Sequence, residues 1–121
     1  MENPKWFQQL FESIDQKDAD TFASFLADDA VFKFGNADLV NGKAAIHDAV
    51  AAFFLSIQAI NHNIVDTWSH TDAVICHGTV TYTRHNSSQL TVPFANIFKI
   101  NDNLIKEYLI YVDTSELYSE S

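Results

Sequence analysis

From residue 60 to residue 113 apolar and polar side chains alternate with period two, interrupted only by HTDA at 70–73, HNSS at 85–88 and NDN at 101–103. That rhythm is the signature of β-strands, and it constrains this chain more than any other feature. Turns this short join antiparallel neighbours, so the pattern predicts a four-stranded meander with strands near 60–69, 74–84, 89–100 and 104–113. Some neighbouring positions are apolar on both faces: Ile64 beside Val65, Val74 beside Ile75, Leu109 beside Ile110. A sheet with one solvated face would alternate cleanly, so part of the outer face is expected to be covered, in a chain this small by a second subunit.

The first half reads differently. Phe7, Leu10, Phe11 and Ile14 recur at spacings of three and four after Pro4, which predicts an amphipathic helix. A second short helix is predicted behind Asp18, a residue suited to cap it, with Phe22, Phe25 and Leu26 as its stripe. AVFKF, stopped by Gly35 and Asn36, reads as a short strand. Asn41 or Gly42 then starts the longest helix, in which Ile46, Val50, Phe53 and Ile57 repeat near period 3.6. Residues 1–121 are read as one domain, since 121 residues with 47% hydrophobic content suffice for a single core.

Charge and cysteine content exclude several roles. The formal net charge of −9 repels phosphate backbones and anionic membrane surfaces, so no nucleic-acid or membrane partner is expected. Neither a secretory signal nor a membrane-spanning run is recognisable in the sequence. The single cysteine, Cys76, permits no intrachain disulfide and fits a reducing compartment, so a cytoplasmic location is expected. No His or carboxylate spacing typical of a metal site occurs, and no Gly-rich phosphate loop or nucleophile motif, so neither metal nor cofactor is expected.

The order helix, helix, short strand, long helix, four long strands is an α+β pattern. In it, LADDAVFKFG, VNGKAAI, VTYTR, VPFANIFKIND and LIKEYLIYVD follow one another in a way that resembles the SnoaL-like family, within the nuclear transport factor two-like (cystatin-like) superfamily. The resemblance covers about residues 6 to 117. It implies a curved antiparallel sheet wrapped around a long helix, with two shorter N-terminal helices, forming a cone with an internal pocket. It also implies a homodimer through the convex sheet face and, in enzyme members, a carboxylate in an otherwise apolar cavity. Burial raises the pKa of such a carboxyl group and lets it act as a base near neutrality.

At the positions where the resemblance would put that carboxylate, this chain has none. The isomerase position on the short strand falls on Phe34, and the hydrolase and cyclase position on the last strand falls on Ile110. Asp113 matches the family's terminal aspartate but lies on the opposite strand face and reads as a strand end or cap. Asp28 and Asp29 read as turn and cap residues.

Histidine, which titrates near neutrality, supplies the remaining candidate bases, His62 and His77. Strand parity groups His62 with Asp66 on a wet face, and a bulge would reverse that. His77 faces either a pocket or a subunit interface. Asn96 shares its face with Phe94 and Phe98 and either bonds Tyr108 or a histidine across the sheet or offers its amide to a ligand. The expected pocket wall is Trp6, Phe32, Phe34, Phe53, Asn96, Tyr108 and Ile110. The sequence thus predicts a protein that binds a small, largely apolar organic molecule. Two alternatives stay open: an isomerase, lyase or cyclase using a pocket histidine as general base, and a non-catalytic dimerisation domain.

Overall fold

The computed structural model describes residues 4–118. Over these residues the elements run α1 (Lys5–Asp15), α2 (Ala19–Ala23), β1 (Leu26–Phe34), β2 (Val40–Asn41), α3 (Lys43–Leu55), β3 (Ala59–Ser69), β4 (Ala73–Thr83), β5 (Gln89–Asn101) and β6 (Leu104–Val112). The strands form one curved sheet in the order β2-β1-β6-β5-β4-β3. The four long strands are antiparallel neighbours, as the short turns require. The sheet as a whole is mixed, because β1 joins β6 in parallel. No helix among the described residues is long and apolar enough to cross a membrane.

The helices cover one face, here called the inner face. Phe7, Leu10, Phe11 and Ile14 of α1 are buried, as their spacing predicts. Asp18 caps α2, its side chain accepting the Thr21 N–H at 3.1 Å. That helix stops at Ala23, however, and Leu26 already belongs to β1, so the first strand begins four residues before AVFKF. On α3 the buried stripe is Ile46, Val50 and Phe54. Ile57 is buried beyond the end of that helix, and Phe53 is only half-buried.

One irregularity in the sheet decides what faces inward. On β3 Ile64 pairs with Gly78 and Asp66 with His77, so Val65 is an extra residue opposite the β4 ladder. This bulge reverses the parity of β3. Before it Ile60, His62 and Ile64 share the inner face; after it Asp66 and Trp68 turn outward. Gly78 is what permits the bulge. A Cβ there would lie 1.9 Å from the Asn63 carbonyl oxygen.

Candidate functional site

Between α3, the C-terminal end of α1 and the inner sheet face lies a cavity of about 230 Å³. Its mouth is at the β1–β2 loop, where exposed Ala37 and Asp38 meet half-buried Phe34, Phe53 and Ile110. Its inner end is closed by buried Phe22, Val80, Phe94, Asn96 and Tyr108. The wall is built by strand alternation: Phe32 and Phe34 on β1, Tyr108 and Ile110 on β6, and Phe94 and Asn96 on β5 all project the same way. The rings brace one another at near right angles, Phe34 on Phe53 at 5.0 Å and Phe53 on Tyr82 at 6.0 Å between centroids. Edge-to-face packing of this kind fixes the wall and leaves the space open.

Six of the residues expected from the sequence, Phe32, Phe34, Phe53, Asn96, Tyr108 and Ile110, therefore surround one cavity. Trp6 is not among them. It sits one turn too early on α1 and packs edge-on against Phe98, centroids 5.4 Å apart, so it supports the sheet and does not line the cavity.

The two histidines separate. His62 lines the cavity, its side chain only 10% exposed. Its ring lies between Phe11 and Phe94. Its Nδ1 lies 2.7 Å from Asp15 Oδ1, and its backbone N–H donates to Asp15 Oδ2 at 3.2 Å. A carboxylate only accepts, so Nδ1 carries a proton, and whenever the ring is neutral Nε2 is left as an acceptor. Asp15 was not singled out by the sequence reading. The signal was present: Asp15 ends α1, where a negative charge opposes the helix dipole, and no basic residue lies in that last turn.

His77 is on the outer face, 44% exposed, stacked on Trp68 at 5.6 Å and 3.7 Å from Asp66. The bulge at Val65 puts Asp66 and Trp68 beside it. His77 therefore does not reach the cavity, and it is excluded as a base acting there.

Burial governs the remaining ionisable groups. It holds the Tyr108 phenol well above its ordinary range. It likewise raises Tyr82 and pushes the Cys76 thiol up to about 12. Both tyrosines keep the phenolic proton near neutrality. Asn96 is 1% exposed, and its Oδ1 has no hydrogen-bond partner among the described residues. Of the two alternatives read from the sequence, a bond to that carbonyl from Tyr108 or a histidine is therefore not made. Asp113 accepts the Ser115 N–H at 2.9 Å, which lowers its pKa; it finishes β6 and opens the next turn. Asp29 pairs with Lys106 on the surface. No group of three or more potential metal ligands occurs among the described residues.

The fold and the cavity define an α+β cone with an internal pocket. The profile of the SnoaL-like domain matches residues 7–108, and the chain belongs to that family. A search of curated proteins finds no significant match. Among solved structures it is similar to a candidate polyketide cyclase from Xanthomonas campestris pv. campestris, with TM-score 0.82 and 20% identity over 91% of this chain and 89% of that one. A Catenulispora acidiphila protein with a ketosteroid isomerase-like fold, in complex with trimethylamine, gives TM-score 0.83 at 13% identity over 91% and 86%. An LEH-like epoxide hydrolase from Mycobacterium tuberculosis gives 0.78 at 15% identity over 92% and 82%. At these identities the likeness shows the fold alone.

Proposed function

We propose that this protein binds a small, largely apolar organic molecule in its cone. The observation that carries the reading is the cavity itself: about 230 Å³ of space walled by aromatic and aliphatic side chains with few polar groups, the composition expected of a small-molecule site. Ile110 and Phe34, where enzyme relatives would hold a carboxylate, add to the apolar wall.

A second reading is favoured by the Asp15–His62 pair. In it His62 Nε2 takes a proton from a carbon acid bound in the cavity, Asp15 holds the imidazolium that results, and the Tyr108 O–H donates to the oxyanion that develops. This is the chemistry of an isomerase, lyase or cyclase, with His62 in place of the missing carboxylate. Association alone is the third reading. Trp68, Ile75 and Tyr111 leave an apolar outer face exposed, and we propose that a second copy of the chain covers it. The buried, unpaired Cys76 fits a cytoplasmic home.

One experiment separates the first two readings. Small ring compounds, including cyclohexanone, are titrated into the protein by calorimetry, and exchange of the ketone's α-protons is followed by NMR in deuterated water. Binding that is lost in a folded Ile110→Trp variant supports the pocket. Exchange that falls by about two orders of magnitude or more in His62→Gln, and not in His77→Gln, supports the base. Binding that survives Ile110→Trp unchanged removes the pocket reading.

A further inference from the structure

The sheet register aligns Phe34 on β1, Ile110 on β6, Asn96 on β5 and Cys76 on β4 in one row across the inner face. The first two positions are apolar, and burial keeps the fourth a thiol. Asn96 is therefore the one strongly polar side chain in the row; it lines the cavity, and its Oδ1 is buried without a protein donor among the described residues. No neighbour donates to it: Phe94 and Phe98, which flank it on its own strand, have no side-chain donor, and Tyr108 makes no bond to it. Buried carbonyl groups are almost always paired, because leaving one unpaired costs about as much as several core contacts provide.

The size and charge of the cavity narrow what could supply the donor. An apolar cavity of about 150 Å³ accommodates benzene. The 230 Å³ here has room for a single ring with a few further heavy atoms. No Lys or Arg lines it, whereas Asp38 stands at the mouth and Asp15 lies behind His62. An anion would therefore be buried unpaired, beside carboxylates, in a chain of net charge −9. A cation would find no carboxylate at the inner end of the cavity.

From these constraints we infer that the ligand is a neutral, single-ring alcohol or phenol whose hydroxyl donates to Asn96 Oδ1 while its ring lies against Phe34 and Ile110. This rests on the binding reading above and goes beyond it by fixing the ligand's polarity and the place of its donor. Asn96 then sets specificity: an isostere without the hydroxyl leaves the carbonyl unpaired.

The test uses 4-ethylphenol and 4-ethyltoluene, which have equal heavy-atom counts and differ by hydroxyl for methyl, titrated into the wild-type protein and into Asn96→Leu. The expected result is a phenol-to-toluene affinity ratio about tenfold or more higher in the wild type than in the variant, with 4-ethyltoluene binding retained by both. In the wild type alone, methylating the phenol oxygen, which removes the donor, is expected to weaken binding by a similar factor, so the result stands even if the variant misfolds. Equal ratios in the two proteins, or indifference to methylation, overturn the inference while leaving the pocket. Binding of neither compound up to millimolar concentration overturns the pocket reading, and the inference with it.

Discussion

His62 and His77 sit on paired strands, and each has an aspartate nearby, yet they occupy different chemical worlds. His62 is 10% exposed with a carboxylate oxygen at 2.7 Å, while His77 is 44% exposed with one at 3.7 Å. The first pair is held by a backbone N–H and two aromatic rings and borders the cavity. The second lies on an open surface where water competes for both partners. One residue, Val65, produces the contrast, because without the bulge Asp66 and Trp68 would share the face of His62. In a sheet with two apolar faces, the irregularity does as much as composition to decide where a site is.

The most damaging way to break this contrast is to close the gap at Gly78. Gly78→Ala puts a methyl group against the Asn63 carbonyl, and the account expects a loss of about 4 kcal/mol or more in denaturant unfolding, or failure to fold. A variant of wild-type stability would mean that the bulge is not held in this form.

Restoring a carboxylate to the cavity wall should have the next largest effect. Ile110→Asp is expected to cost roughly 2–4 kcal/mol at pH 7, part from lost apolar burial at every pH and part from burying the charge. Burial would raise the folded pKa above the unfolded value of about 3.9. The charge penalty is then absent below the unfolded pKa and grows as pH rises toward the folded one, so unfolding followed across pH 3 to 8 should show stability returning in acid. A penalty independent of pH would place position 110 in contact with water.

Smaller effects sharpen the comparison itself. Asp15→Ala removes two hydrogen bonds at a partly buried site and is expected to cost about 1–2 kcal/mol. Asp66→Ala, on the exposed pair, is expected to stay within about 0.5 kcal/mol. Equal losses in thermal unfolding would mean that the two pairs are alike.

The architecture was legible because it rests on periodicity. The long strands, the α1 stripe and the Asp18 cap follow from residue spacing alone, as do most of the aromatic positions that face inward. The bulge was not legible, because INHNIVDTWS alternates acceptably in either register and only the close approach at Gly78 selects one. The face of His62 consequently hung on whether a bulge intervened, and Asp15 escaped notice, since their pairing spans α1 and β3, far apart in sequence. Trp6 was misplaced for a related reason. Helical spacing shows that a residue faces the sheet, but not whether it meets a gap or, as here, the Phe98 ring.

The central claim is that the inner face carries the site and that His62, not His77, belongs to it. NMR of the imidazole ring signals during titration with 4-ethylphenol tests this most directly. The account predicts that the His62 ring resonances shift in step with occupancy while those of His77 hold still. Movement of His77 alone, or saturable binding that moves neither ring, would contradict it.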